Sequence, residues 1–276
     1  MRDHIEFIQA QRLPWQDGAA WGRPGTRLKL LSRDSDTGAF SCVMQFSPGW
    51  SGGPAAWLAV DEEFYVLDGR LVVGGVDYAE NSYAFWPAGF ERLDAGSAEG
   101  ATLLCFFSGP LSTGAAVRPE VPAGRLVRKV DMTDGQWDGD LEKFGLASMK
   151  ARSRMRVLRE DPVTGETTYI TATFAFLSGV RAERHPIVQE FFLLSGELAG
   201  NTGIMQGGAY CFRPEMVKHG PYGSPSGAVI LFRGMGGKQE TFWEDAPPFT
   251  FSPDHAPVLP AELQALGAPW PRPDRY

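Results

Sequence analysis

Arg27, Leu31, Asp34, Thr37 and Gly38 recur as Arg154, Leu158, Asp161, Thr164 and Gly165, each 127 positions later. The offset then holds without a gap. Glu63, Phe64, Leu67, Gly69 and Leu71 match Glu190, Phe191, Leu194, Gly196 and Leu198, and Tyr83, Phe85 and Pro87 match Tyr210, Phe212 and Pro214. Gly100, Ala101, Leu104 and Gly109 close the register against Gly227, Ala228, Leu231 and Gly236. Shared composition does not produce a register this long, and a period far above the roughly 20 to 50 residues of a solenoid unit indicates duplicated domains. Two copies of one fold are expected, over residues 1–115 and 116–240, followed by a Pro-rich strap over 241–276.

Within the first copy, Phe64 to Leu67, Leu71 to Val73, Tyr83 to Trp86 and Thr102 to Phe107 are rich in β-branched and aromatic residues and bounded by Gly or Pro, the pattern of short strands. The 33 Gly and 21 Pro of the chain supply the turns such a design needs. Closely spaced short strands in each half predict an all-β fold of two sandwiches or barrels. The connector 110–153 is expected to hold a short helix near 139–150 and the leading strand of the second copy. Prolines after Trp243 exclude a central strand there, because proline donates no ladder hydrogen bond, and 260–266 is expected to make a helical turn or two.

A net charge of −7, with Arg125 to Lys129 as the one conspicuous basic cluster, argues against nucleic acid or an anionic membrane as partner. No stretch approaches the ~20 apolar residues of a membrane span, and Met1 to Glu6 does not open a signal peptide. The expectation is a soluble cytoplasmic protein whose partner is a small molecule, with a homodimer left open. Cys42, Cys105 and Cys211 lie in apolar segments without CxxC spacing and read as buried reduced thiols. There is no GxSxG elbow, Walker loop or GxGxxG after a strand.

In the second copy, Glu183, His185 and Gln189 precede Gly196, and a segment from Gly208 through Pro214 ends at His219. This pattern resembles the two motifs of the cupin superfamily, G-x5-H-x-H-x3–4-E-x6-G and G-x5-P-x-G-x-x-H. The resemblance implies two double-stranded β-helix (jelly-roll) barrels, a bicupin, with one divalent metal (Mn, Fe, Zn or Ni) held by Glu183, His185, Gln189 and His219. Glu stands here for the first His, Gln for the Glu, and Met216 for the inner Gly of the second motif. Glu190 competes with Gln189, and strand alternation admits only one of them to the interior. Alternate residues of a strand share a face, so Glu183 and His185 can point together, and two imidazoles with a carboxylate can hold a divalent ion. Only four His exist in the chain.

The corresponding positions of the first copy are Ala56, Leu58, Glu62 and Arg92, which have no imidazole. A buried Glu62–Arg92 ion pair is expected in place of a metal, with an anion pocket near Trp50, Trp57 and Trp86 as the lesser reading. Around the second site, Arg181, Arg213, Lys218 and Tyr222 are candidate substrate-binding residues, with Arg184 beside them. The implied function is a metal-dependent enzyme of dioxygenase or hydrolase type acting on a small oxygenated or carboxylated substrate. The donor types are similar to those of bicupin ureidoglycine aminohydrolases. The alternative is a non-catalytic small-molecule binding or sensor protein.

Overall fold

The computed structural model describes residues 2–53, 56–111, 117–135, 137, 141–147 and 152–271. Contacts divide the chain into two compact units, one of Met1–Arg2 with Leu13–Gly135 and one of Asp3–Arg12 with Gln136–Tyr276. The first unit is an antiparallel sheet in the order Val127–Asp131, Ser82–Trp86, Glu62–Val73, Ala101–Phe107, Phe40–Phe46, Thr26–Arg33, Gln16–Asp17. The second has the order Ile5–Gln9, Ala209–Arg213, Val188–Gly200, Ala228–Met235, Thr167–Thr173, Ser153–Glu160. The predicted strands fall where their composition places them.

The sequence offset is also an offset of strands: Thr26–Arg33, Phe40–Phe46, Val76–Ala79 and Ser82–Trp86 return as Ser153–Glu160, Thr167–Thr173, Gly203–Gln206 and Ala209–Arg213. Each unit turns at the recurring glycine. Gly69 and Gly196 have φ of 76° and 84°, and a Cβ there would lie 2.3 and 2.1 Å from the carbonyl oxygens of Gly100 and Gly227. Only glycine tolerates both conditions. The bend lets one long strand pair first in the large sheet and then with the hairpin partner Val76–Ala79 or Gly203–Gln206. Inward faces fill the interior, with Phe64, Val66, Trp86 and Cys105 in the first unit and Phe191, Leu193, Met205 and Cys211 in the second. All three cysteines are buried and free.

The connector departs from expectation. Its strand Val127–Asp131 pairs with Ser82–Trp86 and so completes the first sheet, while the second sheet takes its edge from Ile5–Gln9. A register read from residue 27 onward carries no information on that exchange. Of the helix expected near 139–150, residues 141–147 form turns that bury Leu141, Phe144 and Leu146, and the remainder lies outside the described residues. The tail supplies a short strand, Phe242–Asp245, and the 3-10 turn Ala261–Leu266. Among the described residues no helix is long and apolar enough to cross a membrane.

At the inner-glycine position of the second motif, Gly89 has φ 82° and a Cβ there would meet the Pro119 carbonyl oxygen at 2.2 Å, whereas Met216 holds φ 62° with its side chain 43% exposed. A left-handed non-glycine residue costs ~1 kcal/mol or more. Met216→Gly is therefore expected to leave the second unit as stable or up to about 1 kcal/mol more stable, since the freedom glycine adds to the unfolded chain offsets part of the relief. Urea denaturation measures this, and a clear loss would show that the Met216 side chain packs against something it needs.

Candidate metal centre

Glu183 sits on the strand Arg181–Arg184, which pairs with the tail strand, Glu183 opposite Trp243. On its other edge Glu183 and His219 exchange both backbone hydrogen bonds, at 2.9 and 3.0 Å. His185 follows two residues on, and its carbonyl accepts from the Met216 amide at 2.8 Å. The first unit repeats this frame: the Arg92 amide donates to Ala56 and the Gly89 amide to Leu58. The backbone scaffold is thus common to both units, and the side chains on it differ.

In the second unit the frame brings three donors together. His219 Nε2 lies 3.6 Å from Glu183 Oε1, His185 Nε2 lies 4.0 Å from Glu183 Oε2, and one ligand atom from each residue falls within 4.8 Å of the others. His185 Nδ1 faces the Glu240 carbonyl at 2.8 Å and His219 Nδ1 the Val217 carbonyl at 2.9 Å. A carbonyl only accepts, so both Nδ1 atoms carry protons and both Nε2 lone pairs point into the cluster. Both Nε2 atoms and Glu183 Oε2 are buried without a hydrogen-bond partner among the described residues. Buried polar atoms ordinarily have partners, and imidazoles tethered at the far nitrogen are the usual form of metal ligands. The residues therefore fit a divalent cation.

Electrostatics point the same way. Burial holds His185 below the usual imidazole range, only partly offset by Glu183, which favours the neutral form that binds metal. Burial pushes the Glu183 carboxyl up, but His219 and His185 in their protonated forms, together with Arg213, outweigh it and keep the group below the ordinary carboxylate value.

Gln189 and Glu190 resolve as strand alternation requires. Gln189 lines the cavity beside the cluster, but its Oε1 accepts from Arg213 Nη1 at 2.7 Å. Glu190 faces the other side of the sheet, where the Tyr210 hydroxyl and Arg233 donate to it, as the Tyr83 hydroxyl does to Glu63 in the first unit.

The candidate substrate residues separate. Arg213 is buried, and Glu6 clasps it: Nε and Nη2 each donate to the Glu6 carboxylate at 2.6 Å. The Tyr222 hydroxyl also donates to Glu6, at 2.8 Å. Burial raises the Glu6 carboxyl, but Arg213 outweighs this and holds it far below the usual value. Arg213 is therefore already paired, and Tyr222 lines the cavity with its hydroxyl engaged. Lys218 is half exposed, pairs with Glu244 at 3.2 Å and is not on the cavity lining. Arg184 also pairs with Glu244, whereas Arg181 stands on the lining and donates to the Trp243 carbonyl. Glu6 was not visible in the motif pattern because it precedes the repeat register; a lone carboxylate within the apolar run Ile5-Glu6-Phe7-Ile8 was the available signal.

In the first unit Glu62 binds Arg92 at 2.6 Å and also Arg23 at 2.5 Å. Arg92 lies over the Trp86 ring at 5.3 Å, while Trp50 packs on Phe46 instead. The expected ion pair is present with a second arginine added, so one carboxylate is shared by two guanidiniums and the trio keeps one net positive charge.

The family model described as "Domain of unknown function (DUF4437)" matches residues 6–240. The chain belongs to this family. No curated protein matches the sequence. Similar solved structures include a Nostoc punctiforme protein described as a "putative dioxygenase", with TM-score 0.76 and 17% identity over 90% of this chain and 92% of that one. Protein Ylba from E. coli, of family model DUF861, follows at 0.58 and 12%, over 84% and 91%. Oxalate decarboxylase from Bacillus subtilis is similar at 0.51 and 12%, over 88% and 78%. At these identities the likeness shows the fold, and the DUF4437 chain has the antiparallel β architecture of the cupin jelly roll.

Proposed function

We propose that this DUF4437 protein is a bicupin, two jelly-roll barrels from one duplication, that works as a metal-dependent enzyme on a small oxygenated or carboxylated substrate. The observation that carries this reading is the cluster of Glu183, His185 and His219, whose buried donor atoms lack hydrogen-bond partners among the described residues, beside a cavity of about 510 Å³. Those three residues would hold the ion. When bound, a divalent ion there supplies a Lewis-acid centre, and a redox-active one suits dioxygen chemistry. The chain's own part is to fix the two rings through Nδ1, to keep Glu183 charged between them, and to shield the cluster from bulk water behind the tail strand that carries Trp243. Gln189, held by Arg213, presents its amide at the cavity wall. The names of the structural neighbours, a dioxygenase and a decarboxylase, are compatible with such an enzyme.

The test is metal analysis of the full chain purified without chelator and then loaded in turn with Mn, Fe(II), Zn and Ni. One tightly bound equivalent per chain is expected for at least one of them, with turnover that chelation removes. Failure to retain any of the four would sink the enzyme reading. The first unit should add nothing to the stoichiometry, because Glu62 is neutralised by two arginines and Ala56 and Leu58 offer no donor. Arg92→His is accordingly expected to bind no second equivalent; tight uptake of two ions would refute the account of that unit.

A further inference from the structure

The cavity beside the cluster is a selective environment in its own right. Tyr169, Phe191, Leu198, Ile230 and Phe232 form its walls, with Tyr169 and Phe232 stacked at 5.1 Å and 17°. Its strong cation, Arg213, is already paired with Glu6. Two further cations on the lining, Arg152 and Arg181, are exposed and donate to the backbone carbonyls of Ser178 and Trp243. Among the described residues, positive charge not matched by an acid therefore sits at the exposed part of the lining, while the buried walls are mostly apolar, with Thr171, Thr173, Gln189 and Gln239 as neutral polar groups among them.

Two neutral imidazoles and one carboxylate leave a bound divalent ion with one net positive charge, since an imidazole ligand must be unprotonated. One anionic group neutralises it. A second anionic group on a compact diacid would be buried among mostly apolar side chains with no unpaired cation among the described buried lining residues to match its charge, which is strongly unfavourable. A cavity of about 510 Å³ is sized for a ligand well above a two-carbon acid.

We infer that the substrate class of this site is a monoanionic acid with an aromatic-sized apolar body: the acid head meets the His/Glu cluster, the body lies along Phe191, Phe232 and Tyr169, and Arg152 and Arg181 draw the anion in. This inference rests on the metal reading above for the head and on the cavity walls for the body.

Three probes separate the contributions: 2-naphthoate, the uncharged 2-naphthamide, and succinate, each titrated by fluorescence or calorimetry into the metal-free and Zn-loaded full chain. Metal content is measured independently on the same samples. The loaded protein should bind 2-naphthoate at least tenfold tighter than either succinate or the amide, and the metal-free protein should still prefer both naphthyl probes to succinate. Phe232→Gln should weaken 2-naphthoate at least fivefold with metal uptake unchanged, and Arg181→Ala, at an exposed site, should weaken 2-naphthoate but not the amide. If metal binds and succinate equals or exceeds 2-naphthoate, the substrate class is wrong and the metal reading survives. If no metal binds, the metal reading falls, and the apolar-body inference is decided by the metal-free preference alone. Unchanged 2-naphthoate affinity in Phe232→Gln overturns it in either form.

Discussion

His219→Ala is expected to abolish tight metal binding, raising the dissociation constant by at least ~100-fold, because even an outer hydrogen-bond partner of a ligand is worth about 10- to 100-fold and His219 supplies one of three clustered donors. Arg92→Ala, the equivalent position of the first unit, should leave it unchanged. Isothermal titration with Zn or Mn reads both. The pH dependence has a defined sign. Protons compete with metal for Nε2, so occupancy falls on acidification. His185 is held below the usual imidazole value, so its share of the loss begins below pH of about 6.5. Occupancy that fell on raising the pH from 6 to 8 would contradict this assignment, as would full retention of metal by His219→Ala.

The second large effect is expected at Glu6. Removing one member of a buried, fully hydrogen-bonded ion pair leaves the other charge uncompensated, a cost of about 3 to 5 kcal/mol. Glu6→Ala should therefore lose that much from the second unit, a large part of the roughly 5 to 15 kcal/mol of a typical domain. Glu6→Leu combined with Arg213→Met should recover most of it. Hydrogen exchange of Ile5–Gln9 and Ala209–Arg213, the paired strands that carry the two residues, reads this unit separately. The folded carboxyl of Glu6 is depressed, so its contribution is full above the unfolded value of roughly 4.3 and declines as pH falls through the folded value. A loss of less than about 1 kcal/mol, the worth of a surface pair, would show that the clasp is not a buried charge network.

Much of the fold was legible in the sequence because the constraints on it are local and repeated. Gly69 and Gly196 report a bend only glycine makes, and the aromatic runs before them report strands with filled inner faces. His185 and His219 could be found because their positions are fixed by counting from Gly196 and Pro214 along the strands. The partners of those side chains could not. Gln189 matches a ligand position in spacing, yet its carbonyl oxygen belongs to Arg213, and that preference is set by Glu6, more than 180 residues earlier in the chain. The same long-range pairing turned Arg213 and Tyr222 from candidate substrate contacts into members of a buried network. Lys218 could not be told from a cavity residue by spacing alone, since its distance from the cavity is decided by Glu244 on the tail strand.

The pairing of Ile5–Gln9 with Ala209–Arg213 also sets an order of events in synthesis. The strand Ile5–Gln9 completes the second sheet, and its partner is made about 200 residues later, roughly 10 to 40 s at ordinary elongation rates. Through that interval the strand Ile5–Gln9 and its carboxylate have no sheet edge to join, and after it the nearly complete second sheet exposes the edge Ala209–Arg213 until the strand arrives. Strand docking is therefore the step that buries Arg213, and a chain shortened before residue 12 would keep Glu183, His185 and His219 while leaving that guanidinium without its acid. The cluster of Glu183, His185 and His219 and the acid that matches the neighbouring Arg213 thus come from segments about 180 to 210 residues apart, and the guanidinium is paired only once both have been made.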